Sequence, residues 1–239
     1  MEEIKVKKIF ALLLVVLMMF TGTMVSAESK STTSESVKKY EKEILKSFDE
    51  LGIDLETQKK LLKKLKDGEM LDSLKQENAD FALEEIQSLQ MNESNIITFS
   101  DGSKAKVGSE IIKSEDDTYN DDIGLMHTGL SPGTYTIRTY YNTGLVNAQY
   151  YIEAVIRSGS DNDYILTVYD GTATVIGGKK EEETTTLHRR FETSTHYAHS
   201  NFRVDYSLFG ENFSSSMTLN TLVGNDGYKT GLSNLTPLK

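Results

Sequence analysis

From residue 133 onward the chain consists of short segments in which apolar and polar residues alternate, and this pattern restricts the fold more than any other feature. The segments are rich in Thr, Tyr, Val and Ile, which favour extended strands, and Gly, Asn, Asp and Ser turn signals separate them. They cover residues 134–141, 148–157, 164–169, 172–176, 184–197, 202–209 and 216–223. Seven or more short strands at this spacing predict an antiparallel β-sandwich or barrel-like domain.

The β-domain is expected to begin with a hairpin near residue 93. Residues 95–99 and 104–112 flank the sequence Ser-Asp-Gly-Ser, which is typical of a hairpin turn. The two prolines of the chain, Pro132 and Pro237, lie outside all the predicted strands, where their missing N–H breaks no ladder. We therefore assign residues 93–239 to the β-sandwich domain.

Ahead of this domain the apolar spacing changes from two residues to three and four, which indicates helices. One helical stripe consists of Val37, Tyr40, Ile44, Phe48 and Leu51, and a second of Leu55, Gln58, Leu61, Leu62 and Leu65. Asp54 is placed to cap the second helix, and Gly52 and Gly68 are placed to end the two. A weaker amphipathic stretch covers residues 78–90. The prediction for residues 37–91 is a helical region opening with a helical hairpin, and the fold class is α+β.

The amino-terminal 27 residues have the three parts of a secretory signal peptide. Lysines 5, 7 and 8 precede an unbroken apolar run over residues 9–20, and Val25-Ser26-Ala27 supplies small residues for cleavage. Twelve apolar residues rise about 18 Å as a helix, less than the ~30 Å hydrocarbon core of a bilayer. We expect cleavage after Ala27, with an uncleaved signal anchor as the alternative. The Ser/Thr-rich residues 28–36 then form a flexible leader.

Composition limits both the partners and the compartment. The chain has 36 acidic against 26 Lys and Arg residues, a net charge of −10, which argues against general nucleic-acid binding. The chain lacks cysteine, so disulfides, thiolate metal sites and a cysteine nucleophile are excluded. After signal removal, no segment is long and apolar enough to span a membrane. Export without cysteine is typical of bacteria with a single membrane, so we expect a secreted, extracellular protein of Gram-positive type.

Three segments carry a resemblance: 63–73 (KKLKDGEMLDS), 99–103 (FSDGS) and 222–228 (LVGNDGY). They are similar to an uncharacterised family of exported Gram-positive bacterial proteins with a helical front piece and a β-domain. The resemblance implies an extracellular location and this architecture. It implies no activity, because none is known for the family.

One set of short motifs resembles that of an enzyme class. The sequence contains Ser36-Val37-Lys38-Lys39, Ser160-Asp161-Asn162 and Lys229-Thr230-Gly231, in the order that penicillin-binding proteins and class A β-lactamases use. In those enzymes the serine starts a helix buried at a cleft, whereas Ser36 is expected to open a charged surface helix. The other two motifs fall in turn-like sequences. We interpret the match as coincidence.

No catalytic constellation is recognised, but Glu192 and His196 are the candidates for one. Strict alternation over residues 184–197 would place both on the same strand face, together with His188, Arg190 and Ser194. Same-face neighbours lie about 6.6–6.8 Å apart, too far for three of them to bind one zinc ion. Glu192 and His196, with Asp205, would act as acid and base only if a cleft perturbed them. The alternative is a solvated polar face.

Two clusters of acidic and amide side chains raise the question of calcium. They are Asp116, Asp117, Asn120, Asp121 and Asp122, and then Asp161, Asn162 and Asp163. Oxygen-rich loops suit a hard cation, and weak sites of about 10⁻⁴–10⁻³ M occur in extracellular modules. Neither cluster has the EF-hand spacing, and solvated turn residues explain both. We expect no cofactor and no resident metal, with weak Ca²⁺ binding as the alternative.

The second predicted helix is locally basic, with lysines at 59, 60, 63, 64 and 66. A basic amphipathic helix can touch an anionic membrane or a wall polymer. Its apolar positions are leucines, however, and we expect these to pack against the first helix or the β-domain.

Tyrosines are abundant in the β-domain. Alternation separates Tyr140 from Tyr141 and Tyr150 from Tyr151, so about half should point outward. Exposed tyrosines supply a rigid amphipathic contact surface for a protein or a sugar, although strand propensity alone explains their number. The absence of tryptophan weakens the case for sugar stacking.

These observations favour a secreted, non-catalytic binding or interaction module acting at or outside the bacterial cell envelope. Its partner would be an unknown protein or a cell-envelope polymer, not a nucleic acid. Two alternatives are a secreted hydrolase with Glu192 and His196 on the β-domain, and a membrane-active secreted toxin or bacteriocin-like effector.

Overall fold

The computed structural model describes residues 24–75, 94–114, 129–158, 162–210 and 213–232. Within these ranges the elements are helices α1 (Met24–Glu50) and α2 (Leu55–Lys66), a 3₁₀ turn (Asp72–Leu74), and strands β1 (Ser94–Thr98), β2 (Lys104–Ser114), β3 (Gly133–Asn142), β4 (Val146–Ile156), β5 (Tyr164–Val175), β6 (Gly178–Arg189), β7 (Ala198–Leu208), β8 (Phe213–Val223) and β9 (Tyr228–Leu232). This confirms the α+β class, a helical hairpin followed by an antiparallel β-sandwich. The signal segment up to residue 23 and the third helical stretch, 78–90, lie outside the described residues.

The strands form two antiparallel sheets that follow the order of the chain. One sheet has the order β1-β2-β3-β4-β5 and the other β6-β7-β8-β9. Because the chain runs up and down, the β1–β2, β3–β4, β5–β6 and β7–β8 connections share one end of the sandwich. We call this the helix end, because the helical hairpin lies there. The opposite end, with the β4–β5, β6–β7 and β8–β9 connections, is the loop end.

The core lies between the two sheets and follows from the alternation. Along β4 every second side chain is buried, and those between are half-buried. On the inner side the Tyr150 ring stacks on Phe202 of the other sheet, with centroids 6.3 Å apart. The buried residues of the helices, among them Val37, Phe48 and Leu65, belong to the same apolar cluster. One core therefore joins the helical hairpin to both sheets.

The chain passes from one sheet to the other through Gly177, whose φ is +75°. A Cβ placed there would lie 2.4 Å from the buried Phe209 ring, and the Phe209 amide donates to the Gly177 carbonyl at 2.7 Å. The backbone conformation and the close ring both require glycine at this corner.

The predicted turn at Asp170-Gly171 is wrong, because β5 continues through it. Tyr169 pairs with Tyr151 and Thr172 with Gln149, so both residues of the pair oppose Tyr150 in a β-bulge. Asp170 has a φ of +49°. An Asp-Gly pair supplies positive φ to a hairpin turn and to a bulge alike, so local sequence does not separate the two.

Two further strand boundaries differ from the prediction. The strand expected over 184–197 begins at Gly178 and ends at Arg189, because the charged residues 179–183 belong to a solvent-exposed edge strand that shows no apolar alternation. Strand β9 was not predicted, since five residues are too few for a clear period. Lys229-Thr230-Gly231 therefore lies on a strand and not in a turn.

The expected flexible leader over residues 28–36 is helical, because α1 begins at Met24. Thr33 is buried four residues before Val37, so the inward stripe starts one turn earlier than its apolar members indicate. Ser36 accordingly lies inside the helix and does not open it. Neither helix in the described part of the chain has the length and hydrophobicity that crossing a bilayer requires.

The helical hairpin has the predicted form. The Asp54 side chain accepts from the amides of Glu56 and Thr57 and caps α2. Leu61, Leu62 and Leu65 are buried as predicted, whereas Leu55, expected on the same stripe, is 71% exposed in the first turn of the helix. Four of its lysines form ion pairs: Lys59 with Glu56, Lys63 with Asp67, Lys64 with Asp72 and Asp101, and Lys66 with Glu41.

A largely buried polar network fastens the hairpin to the β1–β2 turn. The Lys64 ammonium lies 3.0 Å from Asp72 and 2.8 Å from Asp101, and the Asp72 amide donates to Asp101 at 2.9 Å. Burial alone would raise the pKa of Asp72, but hydrogen bonds from Lys75, Ser100 and Lys64 outweigh it and hold the pKa well below its ordinary value. The pKa of Asp101 is lowered in the same way.

We expect Asp101→Asn to lower the free energy of unfolding by about 2 kcal/mol at pH 7, because Lys64 loses a charged partner in a poorly hydrated place. A lowered carboxylate pKa stabilises the fold above the ordinary value of about 3.9 and loses that effect as pH falls. Urea unfolding should thus show a smaller difference between pH 7 and pH 3 in the variant. Glu50→Gln, in the exposed pair with Lys46, is the control and should cost less than about 0.5 kcal/mol. Equal effects of the two substitutions would contradict the role of the network.

The requirement for glycine at position 177, where the chain passes between the sheets, is tested by comparing Gly177→Ala with Gly68→Ala. Both glycines have positive φ, +75° and +80°, but no atom lies within 4 Å of a Cβ built on Gly68. Gly68→Ala should cost about 1–2 kcal/mol for the left-handed backbone. Gly177→Ala should cost roughly 2 kcal/mol more, because the methyl group collides with Phe209. Urea unfolding measures both, and equal costs would show that the Phe209 ring yields freely.

Candidate functional site

The outward side of the five-stranded sheet carries a cluster of half-exposed aromatic and polar side chains. We call the outward side chains of β2 to β5, centred on Tyr140, Tyr151 and Tyr169, the tyrosine face. The register places Arg138, Tyr151 and Tyr169 in one cross-strand row, and Tyr140 in the next row with Gln149. On β3 and β4 these residues alternate with buried neighbours, and Tyr169 of β5 pairs with the outward Tyr151, so the face is the reverse side of the core.

The rings of the tyrosine face are held by one another and by cations. Tyr151 and Tyr169 stack with centroids 5.8 Å apart and planes 20° apart. The Arg138 guanidinium carbon lies 4.8 Å from the Tyr140 centroid, and the Lys106 ammonium lies 5.8 Å from it. Each of the three rings therefore has a neighbour against its π-face, which restricts its rotamers before any partner binds.

Toward the loop end the face becomes apolar. The Phe191 side chain is 59% exposed and Leu166 is 44% exposed. Phe191 pairs with Tyr164 beyond the edge of β5, and their rings lie 5.5 Å apart. The Arg157 guanidinium covers Tyr164 at 4.9 Å. Ile112, in the β2 bulge, is also exposed.

Positive charge predominates on this face, in a chain whose net charge is −10. The register of β1 to β4 places on the outward side the cations Lys104, Lys106, Lys113 and Arg138 and the anions Glu110 and Glu153. The Lys104 ammonium donates to the Gly52 carbonyl at the helix end, at 2.7 Å. Arg138 Nη1 forms an ion pair with Glu110 at 3.0 Å. The Nε of the same guanidinium is buried and has no hydrogen-bond partner among the described residues.

The predicted division of the tyrosine doublets is confirmed. Tyr141 and Tyr150 are buried, whereas Tyr140 and Tyr151 are half-exposed. The Tyr150 hydroxyl donates to Thr221 Oγ1 at 2.6 Å, and Thr221 lies 2.8 Å from Thr139 Oγ1. Burial raises the pKa of Tyr150. The inner tyrosines thus belong to the core and its hydroxyl network.

The structure places Glu192 and His196 in different surroundings beyond the end of β6. Glu192 is buried, 4% exposed, and its Oε1 accepts from the Asn225 amide at 2.8 Å and its Oε2 from the Asp163 amide at 3.1 Å. The His196 ring nitrogen Nδ1 lies 2.7 Å from the Thr195 hydroxyl in an adjacent turn. The shared strand face on which their pairing depended ends at Arg189.

Asp163, assigned above to an acidic cluster, holds the loop end together. Its carboxylate accepts from the amides of Arg157 and Asp226, both at 2.9 Å. Burial raises the pKa of Asp163 against these hydrogen bonds, and the Glu192 and Asp226 carboxylates add to the increase. Asn225 and Asp226 have φ values of +55° and +57°, the conformation of a type I′ hairpin turn. Sequence offered no signal for this arrangement, because the three loops meet only in the fold.

The other candidate residues do not converge either. Asp205 is paired with Arg203 on the outside of the four-stranded sheet, at 2.9 Å. On the same sheet the His188 and His199 rings stack at 4.7 Å, and His199 Nε2 lies 2.9 Å from Asn220 Oδ1. Burial lowers the pKa of His199. Among the residues that the structure describes, no three His, Asp or Glu side chains are placed to hold a metal ion, and residues 116–122 and 161 lie outside them.

Comparison with known proteins gives a distant structural likeness. No protein-family model matches the chain, and no curated protein matches it. Among solved structures, a hypothetical protein of Listeria monocytogenes EGD-e aligns with a TM-score of 0.36 and 16% sequence identity, over 59% of this chain and 93% of that chain. The fold assignment rests on the chain's own helices and sheets.

We expect Glu192→Gln to lower the free energy of unfolding by about 2 kcal/mol. One glutamine position is an NH₂ group, which would face a backbone N–H where the carboxylate now accepts. Urea unfolding measures the effect. Glu182→Gln, on the exposed part of β6, is the matched control and should change stability by less than about 0.5 kcal/mol. An unchanged Glu192→Gln protein would show that the loop end does not depend on this carboxylate.

Proposed function

We propose that this protein is a secreted, non-catalytic binding module that attaches to a partner at or outside the bacterial cell envelope through the tyrosine face. The observation that carries the proposal is the fixed row of Arg138, Tyr151 and Tyr169 on an open sheet surface. Export follows from the signal-like amino terminus, and the resemblance to exported Gram-positive proteins agrees with it.

The chemistry of the face supports binding. Tyrosine contributes a large contact area with two side-chain torsions, so little conformational entropy is lost when it is covered. Stacking of Tyr151 on Tyr169 has already restricted those torsions in the free protein. Arg138 and Gln149 add hydrogen-bonding groups between the rings. Arginine and tyrosine are also enriched among the residues that dominate binding energies.

The hydrolase hypothesis has weaker support. Both oxygens of Glu192 accept backbone N–H groups, and no described contact joins this carboxylate to the His196 ring. A general base must reach a substrate proton, and Glu192 is only 4% exposed.

The membrane-active hypothesis also has weaker support. Three of the four leucines of α2 are buried, Leu55 in the first turn being exposed, and most of its lysines are paired. In β8, Met217, Leu219 and Val223 face the core, which leaves no apolar side of that strand for lipid.

The proposal is tested with the mature protein, residues 28–239, and washed envelopes of a Gram-positive bacterium. We expect wild-type protein to sediment with the envelopes, and Tyr151→Ala/Tyr169→Ala to bind at least about tenfold more weakly. Arg203→Ala is the control, because Arg203 is 53% exposed on the outside of the other sheet. It should bind like wild type.

Circular dichroism and urea unfolding would establish that both variants are folded. Equal sedimentation of wild type and the double variant would remove the tyrosine face as the contact. Failure of the wild-type protein to sediment would remove the envelope as the location of the partner.

A further inference from the structure

We propose, resting on the function proposed above, that the tyrosine face binds a partner protein whose contact surface presents Asp or Glu side chains. Three properties of the face carry this inference: the covered ring faces, the local excess of positive charge, and the exposed apolar residues at its loop end.

The ring geometry disfavours a glycan. Sugars bind aromatic residues by laying their C–H groups on an open ring face. Tyr151 and Tyr169 turn one face of each ring against the other, and Arg138 and Lys106 lie over the Tyr140 ring. Side chains stand roughly perpendicular to a sheet, so ring edges and hydroxyl groups are what these tyrosines present outward. Edges and hydroxyls suit the mixed polar and apolar contacts of a protein surface.

The charge of the face selects an acidic partner. Four cations and two anions point outward from β2, β3 and β4, whereas the whole chain has ten more acidic than basic residues. Glu110 engages one end of the Arg138 guanidinium at 3.0 Å, and the Lys106 ammonium lies over the neighbouring Tyr140 ring. A partner carboxylate beside Arg138 and Lys106 would pair with their positive charges. Such complementarity raises association rates and rejects basic partners.

The loop end of the face selects a partner with apolar side chains as well. Phe191 and Leu166 are exposed near Tyr164, whose ring is already backed by Phe191, and Ile112 is exposed in the β2 bulge. Exposed apolar groups next to fixed aromatic rings are typical of protein-binding surfaces. A hydroxyl-rich polymer would gain little by covering them.

The occupant is identified by crosslinking from the face itself. A photoreactive benzoylphenylalanine is placed at Thr172, which is exposed and pairs with Gln149, and in a second protein at Thr184, exposed on β6 of the other sheet. Each protein is irradiated with washed Gram-positive envelopes, and the adducts are treated with protease or with muramidase. We expect an adduct from position 172 alone, and mass spectrometry should identify it as a peptide from a surface rich in Asp and Glu.

The outcomes separate the two proposals. A glycan adduct that only muramidase trims would overturn the protein partner and leave the proposed function standing. Equal adducts from positions 172 and 184, or none from 172 despite sedimentation, would overturn the tyrosine face itself.

The contribution of positive charge on the tyrosine face to binding is tested with the double variant Lys106→Gln/Arg138→Gln. The control is Lys180→Gln, which removes one positive charge from β6. At low salt we expect the double variant to bind envelopes about tenfold more weakly, and its binding to depend less on ionic strength than that of wild type. Lys180→Gln should stay within about twofold of wild type. Wild-type binding that neither salt nor the double variant weakens would overturn the acidic partner.

Discussion

Burial of one side of each sheet determines what the other side displays. Tyr150 is enclosed between the sheets, where its ring meets Phe202 and its hydroxyl meets Thr221. Because side chains alternate along a strand, this places Tyr151 on the outside, and the β3 doublet behaves in the same way. A register slip of one residue would exchange the core tyrosine for the displayed one and bury Gln149 or Tyr151 in its place. The tyrosine face is therefore specified by the packing behind it.

Two polar networks, one at each end of the sandwich, stabilise this register of the strands. At the helix end Lys64, Asp72 and Asp101 join segments 63–73 and 99–103, and at the loop end Asp163 and Glu192 hold the amides of segment 222–228. These three segments are the ones on which the resemblance to exported proteins rests. Their residues bind the chain to itself, which gives them a structural role.

The spacing of apolar residues, and the burial that it implies, made much of the fold predictable from the sequence. Eight of the nine described strands, the helical hairpin and the division of the tyrosine doublets all follow from short-range patterns. Apart from the short strand β9 and the exposed edge strand β6, the errors lie where long-range contacts decide the conformation. Asp170-Gly171 forms a bulge where β5 comes close to Phe202. Thr33 is buried, which the sequence does not indicate because threonine is polar. Glu192 looked catalytic on an ideal strand, but its partners are amides from loops 29 and 33 residues away.

The residues that stabilise the fold differ from those that form the tyrosine face, and this makes the face suitable for mutagenesis. The side chains that hold the fold together are buried at the two ends and between the sheets. In contrast, Tyr151 and Tyr169 are partly exposed and stack on one another, and the partly exposed Lys106 lies over the Tyr140 ring. Substitution of a partly exposed side chain removes little buried area, so it should cost far less stability than a change at Tyr150 or Phe202. A loss of binding in folded face variants would then report on contact with the partner. Because the register is set from the inner side, the remaining outward residues would keep their places.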